Sequence, residues 1–430
     1  MFINFFLSKK KLFFSLATKL LGIIINVIFF ITVARLLSIA DFGNFQFLMS
    51  ASFFLIIFST LGLDHKLFIE VSKNLKRKVN YVSSDIVTCI VLINVILFFL
   101  LSFLLVFLNV NYKSLFDINL STLNYFILAI PFIVSNSILY NVLNGYGKNK
   151  IYIFFSGPFQ NLILIFLVTL NFSFLSLQNV IIFYLISVFC NFVILMYFSK
   201  TIFLQPKIKI IRFLRLIKES FFLYKYYILM SLIAAFDVFL VKTIASSYEL
   251  GLYVFASRFA LLISIFFSTS SMFYMPKFIK EFNDGNYEEL KKIYHSSTLF
   301  IISILFLPFC FLYIYADDIV LIFDEKYISS VKYLQVLLVA HFVGLIFGPN
   351  GLLLFYTQNN NKLFIYTFLS FLIYVIFGYF LFLELGVYGV SISFLIYVII
   401  WKLIVSSYFM QVFKFYPSPL FSLIFRNNDG

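Results

Sequence analysis

The chain has 430 residues, 63% of them hydrophobic and only 12% charged, with a mean hydropathy of +1.03. So small a polar fraction cannot cover a soluble fold of this length, so lipid is the expected solvent. The net charge of +14 would suit a nucleic acid, but the basic residues lie in short gaps between long apolar runs. Positive charge is usually retained there on the cytoplasmic side of a membrane, and no nucleic-acid partner is expected.

In chain order, twelve stretches are apolar over the roughly 20 residues that a membrane helix needs. They lie near 12–34, 42–63, 86–108, 122–145, 151–171, 179–199, 220–244, 251–275, 296–315, 332–356, 362–383 and 387–411. Continuous runs, rather than alternating ten-residue segments, exclude a β-barrel. The first run follows Lys9, Lys10 and Lys11 as a signal peptide would, but it continues to about Ala34 and reads as a retained span. Between the sixth and seventh runs, KTIFLQPKIKIIRFLRLIKES (Lys200 to Ser220) alternates basic and large apolar residues, as in an amphipathic segment lying on an anionic leaflet. Cys89, Cys190 and Cys310 sit singly inside apolar runs, with no paired spacing for a metal or a disulfide.

Twelve spans put both termini on one side. Of the 32 Lys and Arg, 23 fall on that side and 5 on the other, so both termini are expected in the cytoplasm. The remaining four, Lys19, Lys225, Arg258 and Lys402, fall within spans.

An internal repeat divides the chain. Shifted by 208 residues, Asp41-Phe-Gly-Asn-Phe45 lands on Glu249-Leu-Gly-Leu-Tyr253, Val33 on Val241 and Ser38 on Ser246. In this motif the acid is expected to cap a helix start, the glycine to reverse the chain, and the aromatic to sit at the interface. A further copy at Glu384, before the last span, needs no third repeat. The expected fold is an all-α polytopic membrane protein of about 12 transmembrane helices in two pseudo-repeated six-helix bundles. Residues 1–200 form the first bundle, 201–219 a cytoplasmic amphipathic linker, 220–411 the second bundle and 412–430 a cytoplasmic tail. Paired bundles of this kind commonly hold a substrate between them near the bilayer midplane.

The run DVFLVKTIASSYELGLYVFASRFALL (Asp237 to Leu262) resembles the polysaccharide-transporter branch of the MATE-related MOP superfamily. The likeness rests on Asp237, Lys242, Gly251, Tyr253, Ala256 and Arg258. VARLLSIADFGNFQFLMS (Val33 to Ser50) and YADDIVLIFDEKYISSVKYLQVL (Tyr315 to Leu337) are similar to other segments of the same family. Two positions depart from its pattern: Asp324 stands for the usual glycine, and Val238 stands where Arg often follows the Asp.

The resemblance implies a flippase of the O-antigen (Wzx-like) type in a bacterial inner membrane. Its substrate would be an undecaprenyl-pyrophosphate-linked oligosaccharide, moved from the cytoplasmic to the periplasmic leaflet by alternating access through a cationic central cavity. A glycan polymerase and a chain-length regulator of the same pathway are the implied protein partners, beside the phospholipid bilayer itself.

A charge at the bilayer centre costs about 2.5–3.5 kcal/mol on insertion scales, so intramembrane charges need a reason. Lys19 and Arg258, with Lys242 or Lys225, are expected to line the cavity around the pyrophosphate. Asn26 and Asp237 would meet glycan hydroxyls, or Asp237 would carry a coupling proton or sodium ion. No cofactor and no metal are expected. A structural alternative stands beside each role: Lys19, Lys225 and Lys242 can snorkel to an interface, and Asp237 can tie helices together by pairing with Arg258 or Lys19. His341 reads as a hydrogen-bonded packing residue, and His65 and His295 as solvated.

Two rival functions are weaker. A MATE-type small-molecule antiporter for cationic cargo would want acidic residues in the first half, which has almost none within its spans. A membrane-embedded glycan polymerase would want a sizeable external loop and a catalytic constellation, and neither is evident, so no enzyme activity is expected.

Overall fold

The computed structural model describes residues 21–73, 86, 88–97, 100–101, 118–171, 175–199, 210–357 and 360–420. Among them the structure is helical, with no strand. In chain order the helices are α1 (Leu21–Leu36), α2 (Ile39–Thr60), α3 (Leu63–Lys73), α4 (Thr88–Leu97), α5 (Leu120–Gly145), α6 (Asn149–Phe155), α7 (Pro158–Leu170) and α8 (Leu177–Phe198). There follow α9 (Ile210–Ile244), α10 (Ser247–Asn283), α11 (Tyr287–Ile314), α12 (Ala316–Phe323), a 3-10 turn (Glu325–Ser330), α13 (Val331–Ile346), α14 (Asn350–Thr357), α15 (Asn360–Leu385) and α16 (Val387–Phe413).

Among the described residues, ten segments are long and apolar enough to cross a membrane. The expected spans at 12–34 and 86–108 run partly into residues outside the described set; their described parts include the apolar helices α1 and α4. Two expected spans are interrupted. The fifth breaks at Ser156–Gly157, and Pro158 then opens α7 at a position where its missing N–H costs nothing. The tenth breaks between α13 and α14, where Gly348 has φ 62, a conformation that favours glycine. The basic stretch expected to lie on the leaflet is described from Ile210 onward. There it is the first part of α9, a 35-residue helix that runs unbroken into the seventh span.

The chain divides into two compact units, Met1–Leu232 and Ile233–Gly430, with the division inside α9. In the first unit α5 packs on α8, α3 and α2. Ala129, Ile133, Leu164, Tyr184 and Val188 make a core there, covered by Phe29, Met49 and Ile56. α1 lies close against α7: a Cβ at Gly22 would come within 2.8 Å of Pro158 Cγ. In the second unit α13 packs on α10 and α16, and α15 on α16. The α15–α16 hairpin turns at Gly386, with φ 60, and closes so tightly that a Cβ at Gly389 would run into the Leu381 backbone carbonyl.

The repeated motif has a different physical basis from the one expected. The chain reverses before it, and Ser38 and Ser246 are the N-caps of α2 and α10. Each hydroxyl accepts the amide N–H three residues on, from Asp41 at 3.1 Å and from Glu249 at 3.2 Å. Glu249 Oε2 in turn accepts the Ser246 amide at 3.2 Å, which completes a capping box. The acid therefore lies inside the first turn, and Gly43 and Gly251 lie within helix. The aromatic packs inside the protein rather than facing headgroups, since Phe45 and Tyr253 are both 0% exposed. Only in the third copy does the glycine make the turn, at Gly386.

Candidate functional site

Asp237 and Tyr253 are brought together by the tight connection between α9 and α10. Asp237 is buried late in α9, and Tyr253 is buried two turns into α10. The Tyr253 hydroxyl donates to Asp237 Oδ2 at 2.8 Å, while Oδ1 accepts the Val238 amide at 2.8 Å. Arg258, five residues further along α10 and partly buried, interacts electrostatically with both Asp237 and Tyr253. The cation offsets the desolvation of the carboxylate, and the phenol satisfies one oxygen. Tyr374 on α15 is fully buried, interacts electrostatically with Asp237, and stacks its ring on Tyr397 at 4.9 Å. Its hydroxyl has no hydrogen-bond partner among the described residues.

The equivalent positions in the first unit carry a different contact. Asp237, Tyr253 and Arg258 correspond to Phe29, Phe45 and Ser50 at the 208-residue shift. Phe29 and Phe45 meet edge to face, with ring centroids 6.1 Å apart. One interhelical contact thus recurs in register, apolar in the first unit and hydrogen-bonded in the second.

The other expected site residues are placed elsewhere. Lys242 is buried at the end of α9 and donates to Ser247 Oγ, in the first turn of α10, at 2.9 Å. Asn26 lies on α1, where its Oδ1 accepts from Asn161 of α7 at 2.6 Å, one turn from the Gly22–Pro158 contact. Lys19 lies outside the described residues. Lys225 falls in the part of α9 that belongs to the first unit. His341 shares a 2.8 Å hydrogen bond with Ser264 Oγ, as befits a packing residue.

A second polar cluster was not anticipated as a site. Lys402 on α16 is buried, and its Nζ donates to Gly348 O at 3.0 Å and to Asn350 Oδ1 at 3.2 Å. The Asn350 amide donates to Ser406 Oγ at 3.0 Å. Lys402 thus satisfies the carbonyl left open where α13 gives way to α14. The signal was present in the sequence, as a lysine mid-span and a Gly-Pro-Asn-Gly interruption of an apolar run, but the two lie 52 residues apart.

Outside the spans, α3 and the start of α9 carry an ion-pair network. Lys66 bridges Glu219 at 2.8 Å and Glu70 at 3.4 Å, and Arg212 approaches Glu70 at 3.6 Å. The Lys66 ammonium holds the Glu219 carboxyl below the usual carboxylate range.

Many apolar helices with a few buried charges and broken spans define a multi-pass membrane protein. Residues 8–282 match the family described as polysaccharide biosynthesis protein, and the chain belongs to that family. No curated protein matches it in sequence.

Solved structures share its fold. An inward-facing multidrug-resistance MATE transporter of the MOP superfamily superimposes with a TM-score of 0.74 at 15% identity, covering 93% of this chain and 97% of that one. The lipid II flippase MurJ, in an inward closed conformation, gives 0.73 at 17% identity, covering 97% and 91%. A MOP superfamily transporter from Pyrococcus furiosus, whose binding pocket is described as of reverse polarity, gives 0.66 at 15%, covering 92% and 94%.

Proposed function

We propose that the protein is a flippase for an undecaprenyl-pyrophosphate-linked oligosaccharide of the O-antigen type. In this reading it carries the glycan from the cytoplasmic to the periplasmic leaflet of a bacterial inner membrane, with both termini in the cytoplasm. Family membership and a fold shared with transporters and a lipid II flippase support the reading. The observation that carries it is the sign of the charge within the helices of the second unit. Within the candidate spans there, Lys242, Arg258 and Lys402 stand against Asp237, the one buried carboxylate in those spans among the described residues; Glu281 is also buried but lies beyond the span of α10. A basic surplus in an apolar surround favours anionic cargo, and a pyrophosphate brought unpaired into the membrane would face a prohibitive desolvation cost.

The chemistry follows from Arg258 being shared. With Asp237 ionised, the guanidinium is engaged electrostatically. Protonation of Asp237, or a sodium ion on its oxygens, releases Arg258 for a phosphate. Asp237 is therefore the coupling position, and a proton or sodium gradient the driving force. A glycan polymerase and its chain-length regulator would receive the product.

The test is flipping in proteoliposomes that hold a fluorescent undecaprenyl-pyrophosphate oligosaccharide, read by how fast a glycosidase added outside reaches the inner-leaflet pool. In cells, deletion should leave the lipid-linked unit on the cytoplasmic leaflet. Accumulation on the periplasmic leaflet instead would make the protein a polymerase and end this reading.

A further inference from the structure

The second unit holds a polar cavity distant along the chain from Asp237 and built from different helices. It has a volume of about 450 Å3 and lies where the end of α11, the start of α13, the end of α15 and the start of α16 come together. Tyr313, Lys332, Gln335 and Tyr388 supply its polar groups, and Val339 and Leu395 are among its apolar lining residues. From Lys332 to Val339 along α13 the lining extends about 10 Å, at about 1.5 Å per residue. By comparison, an engineered cavity of about 150 Å3 holds a six-carbon ring, so this one has room for one or two substituted sugar rings.

Its polar groups are unspent. Gln335 uses only its Nε2, in a long 3.4 Å bond to Tyr313 O, which leaves Oε1 free. Lys332 makes no ion pair among the described residues, and its ammonium rests 5.1 Å from the ring centroid of Tyr333. Neither the Tyr313 nor the Tyr388 hydroxyl has a hydrogen-bond partner among the described residues. An amide acceptor, an ammonium donor, two phenols that both donate and accept, and two aromatic faces thus converge on one hollow. A hydrocarbon chain would leave all of these unmatched. A sugar matches them: its hydroxyls pair with the amide, ammonium and phenols, its C–H faces pack on the rings, and an acetamido or deoxy methyl group fits the apolar lining.

We infer that this cavity binds a saccharide residue. The inference rests on the flippase reading, in which this end of the second unit faces the periplasm and the cavity would receive part of the glycan on the exit side.

The test is saturation-transfer NMR on the full chain in nanodiscs, with N-acetylglucosamine as the probe and glycerol as the negative control. Transfer to the acetamido methyl is expected, and Gln335→Ala combined with Tyr388→Ala should weaken binding about tenfold. Lys332→Gln should weaken it less, because one hydroxyl contact is lost. Size-exclusion profiles matching the unaltered protein would show that the variants are folded. No transfer, or equal transfer in the double variant, overturns the inference. So does a result in which Lys332→Gln lowers phosphatidylglycerol retention by native mass spectrometry while no sugar binds, since the cavity is then a lipid headgroup site. Flipping assays separate the two claims. If the protein flips lipid-linked oligosaccharide and the cavity ignores sugar, the further inference fails alone. If sugar binds and nothing is flipped, the flippase reading fails alone.

Discussion

Tyr253→Phe is the sharpest perturbation of the hydrogen-bonded contact between α9 and α10. It removes one oxygen from a fully buried ring and leaves the packing unchanged, so the loss is the 2.8 Å bond to Asp237. A hydrogen bond to a charged group contributes about 1.5–3 kcal/mol, and the deserted carboxylate has no water to replace it. At about 1.4 kcal/mol per tenfold, the unfolding equilibrium should shift by about 10- to 150-fold. The assay is SDS titration of the purified protein in mild detergent, run as a double-mutant cycle with Asp237→Asn and the paired variant. A coupling energy of about 1.5–3 kcal/mol is expected, whereas independent sites add within about 0.5 kcal/mol. The first unit supplies a control. Phe45→Tyr, at the equivalent buried position facing Phe29, adds the same hydroxyl with no carboxylate to receive it. It should destabilise by about 1–3 kcal/mol. If the cycle proves additive, or Phe45→Tyr is neutral, the account of how a phenol and a carboxylate share this interhelical position is wrong.

Two further outcomes follow from the helix ends. Ser38→Ala and Ser246→Ala should each cost about 0.5–2 kcal/mol in the same titration. Ser246→Ala should cost the more, because its hydroxyl also donates to Glu249 Oε2 at 3.1 Å; equal costs would mean that this hydroxyl–carboxylate bond adds no stability. Gly389→Ala drives a Cβ into the Leu381 backbone, which cannot swing aside as a side chain would, so the α15–α16 hairpin has to open. Overpacking of this kind costs about 1–3 kcal/mol or more. The variant should show a lower folded yield by size exclusion, and a normal yield would mean the helices are not so close.

The sequence shows the spans and the repeat because both are written in local pattern. An apolar run of span length has few alternatives to crossing a bilayer, and a motif recurring at a fixed offset survives low identity. Asp237 and Arg258 also announced themselves, since a charge inside a span demands a partner. Arg258 was named beside Lys19 as a partner for Asp237, but Tyr253 was not. Tyr253 was read as an interfacial ring because the motif was aligned to the turn. Ser246 is the true cap, and it moves the whole motif one helical turn inward, which buries the ring and aims its hydroxyl at Asp237. Lys402 was noticed as a mid-span charge, but its acceptors lie on another helix and exist only because the tenth span breaks at Gly348. Side-chain direction depends on the packed neighbour, and a one-dimensional pattern does not carry it.

The paired contacts, Phe29 with Phe45 and Asp237 with Tyr253, speak to how such a molecule comes to exist. A chain that doubles its own scaffold holds a spare copy of every interhelical joint. At this joint one copy is greasy, while its twin buries a carboxylate.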